Sequence, residues 1–107
     1  GVTPCAMSKP GISMMTRGMA SEWGVHGVRV NAIAPGFFPT ELSRKLWQQD
    51  GMRAWAETNT PLGKLGEVRD LVGAAIFLAS AAGRFVTGQV LRVDGGCSAG
   101  TAWPIEL

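Results

Sequence analysis

The chain has 107 residues, of which 46% are hydrophobic and 17% charged, with a formal net charge of +2. This is the balance of one small globular domain and not of a disordered chain. No run of Lys or Arg exceeds the pair Arg44-Lys45, so the charge gives no footing for nucleic acid or an anionic membrane.

No apolar run is long enough to span a bilayer, and no basic-then-apolar leader is expected at the start. Two cysteines, Cys5 and Cys97, do not make a disulfide framework, which points to a reducing cytoplasm. His26 stands alone between Gly24 and Gly27, and no metal site is expected. The first residue is Gly1 and not methionine, as in a piece of a longer or processed protein.

In chain order, Gly1 to Pro4 reads as a loop. From about Cys5 to Trp23 the apolar residues Ile12, Met15, Met19, Ala20 and Trp23 recur on one helical face. The start of this helix is open. A start near Cys5 puts Pro10 inside the helix, where it cannot bond to the carbonyl of Ala6. A start capped by Ser8 puts Pro10 in the tolerant first turn. Gly24 is the expected left-handed stop.

Val28 to Ala34 reads as a strand with little alternation, so both of its faces are expected to be covered, as in a parallel sheet. Pro35-Gly36 ends it. Thr40 is the expected N-cap of a short helix bearing Leu42, Leu46 and Trp47. Asp50-Gly51 breaks that helix, and a second short one holds Met52, Trp55 and Ala56. Gly63 and Gly66 keep the following loop turning. Glu67 to Ala82 has the clearest helical period, with Glu67 and Asp70 in its first turn and Gly83 after its end. Phe85 to Val93 returns as a strand centred on Gln89 to Val93, and Asp94-Gly95-Gly96 turns it off.

Strand, crossover helix and strand make a right-handed parallel unit. Two strands are too few to cover their own faces, so further strands are expected before Gly1. The fold class is therefore α/β.

Arg29-Val30-Asn31-Ala32-Ile33-Ala34-Pro35-Gly36, with Thr40 beyond it, resembles the Arg-Val-Asn-x-Ile-x-Pro-Gly strand and turn of the short-chain dehydrogenase/reductase family. Phe77-Leu78-Ala79-Ser80 and Val86-Thr87-Gly88-Gln89-Val90-Leu91-Arg92-Val93-Asp94-Gly95-Gly96 resemble the family's last helix and strand. Cys5-Ala6-Met7-Ser8-Lys9 falls where the family carries Tyr-x-x-x-Lys. The likeness runs from about Pro4 to Gly96. Phe37 to Leu42, Ala54-Trp55 and Thr60 to Gly63 look most like the gluconate 5-dehydrogenase branch, though related polyol dehydrogenases and oxoacyl-carrier-protein reductases share much of this pattern.

The resemblance implies that residues 1–107 are the C-terminal part of one doubly wound Rossmann-type domain, with a substrate lid over 37–60. It implies NAD or NADP as cofactor, a small carbonyl or hydroxyl substrate such as a sugar acid, and a homo-oligomer, in relatives a tetramer. Lys9 takes the place of the catalytic lysine that also holds the cofactor ribose. Pro35, Gly36 and Phe38 take the place of the turn that meets the nicotinamide carboxamide, and Thr40 that of a cofactor contact.

Cys5 stands where the family has its acid/base tyrosine, and the sequence contains no tyrosine at all. Acidity is not the obstacle, since a thiol has a reference pKa of roughly 8.5 against about 10 for a phenol. Reach is the obstacle, because a thiol sits close to the backbone. The family's Gly-x-x-x-Gly-x-Gly phosphate loop and its catalytic serine and asparagine would all fall before Gly1. This chain alone is therefore expected to turn over weakly or not at all, and a non-catalytic remnant is the competing expectation. Cys97 reads as structural or incidental, and Trp47 and Trp55 suit a core as well as a substrate wall.

Overall fold

A computed structural model describes residues 3–100, with side chains from Met7 onward. The order of elements is α1 (Thr3–Trp23), β1 (Ala32–Pro35), α2 (Arg44–Trp47), α3 (Met52–Thr58), α4 (Arg69–Ala79) and β2 (Val90–Val93). The two strands pair in one sheet. Ala32 N–H donates to Gln89 O at 2.8 Å and Gly36 N–H to Val93 O at 3.0 Å, so partner numbers rise together and the pairing is parallel. The chain forms two compact units: residues up to Ala34 with Gly73–Leu91, and Pro35–Val72 with the residues from Arg92 on.

In the first unit, α1 starts at Thr3, inside the expected loop and ahead of both expected starts, and carries Pro10 inside it. Its buried positions are Thr16 and Ala20, one turn apart. Thr16 Oγ1 donates to Ile12 O at 2.9 Å, which satisfies the buried hydroxyl. The methyl of Ala20 lies where a Cβ on Gly88 would touch it at 3.4 Å. The expected apolar face is only partly covered, because Ile12, Met15 and Trp23 remain 45%, 55% and 41% exposed.

α1 ends just before Gly24 as expected, but Gly24 is not the left-handed residue. The chain tightens into a 3₁₀ turn, Gly24–His26, and the left-handed residue is Gly27 at φ 72°. Its N–H donates to Gly24 O at 3.0 Å, and Val28 N–H to Trp23 O at 3.3 Å. These bonds satisfy carbonyls that the helix end would leave open.

β1 begins at Ala32 and not at Val28, because the residues before it are held by their side chains. Asn31 Nδ2 donates to Val86 O at 3.0 Å, and Asn31 Oδ1 accepts Gln89 N–H at 3.1 Å. Arg29 Nη1 donates to Val86 O at 3.2 Å, and Val30 N–H donates to Thr87 Oγ1 at 3.0 Å. Gly88 N–H closes the set on Val30 O at 2.7 Å. Side chains thus occupy the rungs that a longer ladder would use, and β2 correspondingly starts only at Val90.

The helix expected over 67–82 is shorter at both ends. Glu67 lies ahead of α4, and its N–H is taken by Asp70 Oδ2 at 2.8 Å. Ser80 turns extended, at φ −104° and ψ 174°, before a 3₁₀ turn at Ala81–Gly83. Gly83 is not left-handed; it is buried, and a Cβ there would stand 2.5 Å from Phe77 O. A close approach explains the glycine, not a helix stop.

In the second unit Thr40 caps no helix. Thr40 N–H donates to Ser43 Oγ at 3.0 Å and Ser43 N–H to Thr40 Oγ1 at 3.3 Å, a closed reciprocal turn that delays α2 to Arg44. α3 follows the left-handed Gly51, φ 77°. The ring of Phe37 meets Trp47 and Trp55 edge-on, at centroid distances of 6.2 Å and 5.6 Å. Ala56 is fully buried, and the buried Thr60 hydroxyl donates to Ala56 O at 2.8 Å.

Three outcomes follow in the full-length protein. Asn31→Ala removes a donor and an acceptor from the entry to β2 and is expected to lower stability by about 1–3 kcal/mol, read from the urea midpoint. Gly27→Ala is expected to lose about 1–2 kcal/mol at its positive φ. Gly24→Ala, with open space and ordinary φ, is expected to be neutral or to gain about 0.4–1 kcal/mol in the same measurement.

Candidate functional site

The turn leaving β1 lies wholly in the second unit. Pro35 is exposed, and Gly36, Phe37 and Phe38 are half-buried. Gly36 has no positive φ; what requires glycine is contact, since a Cβ there would lie 2.7 Å from Asp94 Cα. Phe37 O accepts Gly66 N–H at 2.8 Å. The Phe38 ring lies on Gly66, where a Cβ would come within 2.4 Å of it. Gly66 is thus another glycine set by contact and not by turning.

Beneath this turn is a cavity of about 170 Å³. Its apolar walls include Phe37, Phe38, Leu62 and Leu65, with Lys64, Asp70 and Asp94 as charged members. A wider, more open hollow adjoins Phe37, Trp55, Asn59 and Cys97.

Asp94 organises the turn after β2. Its Oδ1 accepts Gly96 N–H at 2.9 Å, and its Oδ2 accepts Ser98 N–H at 3.2 Å and the Ser98 hydroxyl. The Ser98 hydroxyl, then the Gly96 N–H, hold the carboxyl below the usual carboxylate range, against a smaller opposing effect of burial. Cys97 Sγ lies 3.9 Å from Asp94 Oδ2. Burial, and then the Asp94 charge, push the Cys97 thiol up, so it stays protonated and unreactive near neutral pH.

Residues 1–98 match the sequence family described as Enoyl-(Acyl carrier protein) reductase. Gluconate 5-dehydrogenase of Gluconobacter oxydans (strain 621H) is 46% identical over 96 residues, which are 90% of this chain. The chain belongs to the short-chain dehydrogenase/reductase family. 5-Keto-D-gluconate 5-reductase of Escherichia coli (strain K12) is 45% identical over 95 residues, 89% of this chain. The chain spans only 38% and 37% of the lengths of these two curated relatives. The crystal structure of a gluconate 5-dehydrogenase from Burkholderia cenocepacia J2315, in complex with NADP and tartrate, superposes with a TM-score of 0.88 at 46% identity. That match covers 92% of this chain and 38% of the other. The α/β architecture here is a portion of this family's Rossmann-type fold.

For this family member the expected site residues fall into both units. Cys5 and Lys9 lie on α1, in the first. Lys9 is exposed, and its carbonyl accepts Ser13 Oγ at 3.4 Å; the side chain of Cys5 lies outside the described residues. Pro35, Gly36, Phe38 and Thr40 lie in the second unit, with the Thr40 hydroxyl engaged by Ser43. Among the described residues no group of three His, Cys, Asp or Glu could hold a metal, and no helix is long and apolar enough to cross a membrane.

From sequence, Asp94-Gly95-Gly96 is a strand stop and part of the family's last-strand motif, with no role of its own. The available signal was an Asp two residues before a backbone N–H in a glycine-rich turn, the pattern of an Asx turn. Gly66 carried no such signal, because its partner Phe38 is distant in sequence.

The Asp94 carboxyl is expected to titrate below the ordinary aspartate value in a carbon-detected NMR titration of the full-length protein, and Ser98→Ala to raise it toward that value. The sign for stability follows from a folded pKa below the unfolded one. The contribution is present above the unfolded value and is lost as pH falls through the folded one.

Proposed function

We propose that the full-length protein is an NAD- or NADP-dependent oxidoreductase that interconverts a hydroxyl and a carbonyl on a small sugar acid of the gluconate type. The observation that carries this is the turn at Phe38. Gly36 N–H and Phe37 O are spent inside the protein, whereas no bond among the described residues takes up the N–H or C=O of Phe38. A free backbone donor beside a free acceptor is the complement of a primary carboxamide, the group that a nicotinamide ring presents.

When bound, the nicotinamide gives or takes the hydride. The chain's own residues then have these roles. Phe38 backbone groups fix the carboxamide, and Pro35 and Gly36 set the path of the backbone that delivers them. The exposed Lys9 ammonium holds the ribose and favours the ionised form of a neighbouring acid. The Thr40–Ser43 turn anchors a further cofactor contact. The segment 37–60, tied by Phe37 to Trp47 and Trp55, serves as a lid that excludes water from the substrate.

The sugar-acid substrate is supported by the names of the relatives from Gluconobacter oxydans and Escherichia coli. A homo-oligomer is proposed from the family resemblance alone. One residue favours the non-catalytic reading. Cys5 is too short to place a proton where a phenol would. The relatives, named as dehydrogenases and reductases, lend that reading no support.

The test combines binding and turnover. The full-length protein is expected to enhance NADH or NADPH fluorescence and to reduce 5-ketogluconate slowly. Cys5→Tyr is expected to raise turnover by about 10²- to 10⁴-fold, the usual worth of a positioned acid/base, with little change in cofactor affinity. Unchanged turnover would show that Cys5 does not stand at the proton-transfer position.

A further inference from the structure

The geometry points to the Asp94 carboxylate as a positioning residue for the nicotinamide turn, acting through Gly36 without touching cofactor or substrate. This rests on the reading of Pro35–Phe38 as that turn.

Gly36 rides directly on Asp94. Its N–H donates to Val93 O at 3.0 Å, and its missing Cβ would meet Asp94 Cα at 2.7 Å and Asp94 Cβ at 2.8 Å. Whatever fixes Asp94 therefore fixes Gly36. Behind Asp94 the chain has no room to retreat. Gly95 and Gly96 are left-handed, at φ 62° and 92°. A Cβ on Gly95 would lie 2.6 Å from Thr60 Cγ2, and one on Gly96 3.1 Å from Pro61 Cγ. Leu62 N–H donates to Gly95 O at 3.1 Å, tying the turn to the loop behind it.

The clasp that holds this turn closed is the carboxylate itself. It accepts two backbone N–H groups, from Gly96 and Ser98, and the Ser98 hydroxyl. Charge-assisted bonds of this kind are stronger than neutral ones. An amide in its place offers one oxygen. Whichever way it turns, its NH₂ faces a backbone N–H, of Gly96 or of Ser98, and that donor loses its acceptor. The turn then opens at the side that supports Gly36, while the buried Ala56–Thr60 bond is untouched. Small displacements of groups that orient a reactant are costly in rate and affinity.

The experiment uses the full-length protein, as wild type, Asp94→Asn and Ser98→Ala. Two readouts are taken: hydrogen exchange of backbone amides without cofactor, and the dissociation constant for NADPH or NADH by fluorescence. Asp94→Asn is expected to speed exchange at Gly36 about tenfold and to weaken cofactor binding about tenfold, equivalent to about 1.4 kcal/mol. Exchange at Thr16 and Ala20 in α1 should stay within twofold. Ser98→Ala should move both readouts the same way by about threefold, and it serves if Asp94→Asn does not fold. Exchange at Gly36 and cofactor affinity both within twofold of wild type would overturn the inference. So would an equal rise at Thr16 and Ala20, which marks general destabilisation. A wild type that binds neither nucleotide overturns the functional reading instead, and exchange at Gly36 still decides whether Asp94 holds the turn.

Discussion

The second unit depends on a contact too close for any side chain, that of Gly36 against the backbone of Asp94. Three further glycines serve the same packing. Gly66 makes room for the Phe38 ring, and Gly95 and Gly96 let the turn after β2 lie on Thr60 and Pro61. Backbone and rings approach directly, so the unit holds its turn with few fully buried residues. Ala56, Thr60 and Leu65 are the buried ones among its described residues. Interiors of this kind transmit strain, because a close-packed contact has no slack to absorb it.

The first unit solves a different problem by different means. Its strand entrance is fixed by polar side chains, with Arg29 and Asn31 bonding to backbone groups from Ser80 to Gln89. These bonds replace ladder rungs, which is why both strands are only four residues long. The open faces of α1 and α4 fit a chain that spans 38% of its relatives' length, whose apolar surface suits coverage by further protein.

The chemistry proposed for Cys5 and Lys9 turns on a mismatch of reach. Lys9 and Cys5 stand four residues apart on α1, one helical turn, which is the spacing the family's proton transfer uses. The length of a phenol is what Cys5 lacks. At the proposed cofactor turn, Gly36 rests on the backbone of Asp94 and the Phe38 ring on Gly66.

The sequence by itself determined the α/β class, the order of elements, the family and the turn at Pro35-Gly36. Those rest on local periods, turn residues and spacing, which a chain carries without folding. It also marked Arg29-Val30-Asn31 and Asp94-Gly95-Gly96 as motifs, but not what they do. Tertiary structure decided that Gly27 and not Gly24 is the left-handed residue after the first helix, and that Asn31 clamps β2. It decided that Thr40 pairs with Ser43, and that Gly36, Gly66 and Gly83 are glycines by contact. The reason is common to all of these. Each depends on which distant backbone atom arrives beside the residue, and no local period or propensity encodes that distance.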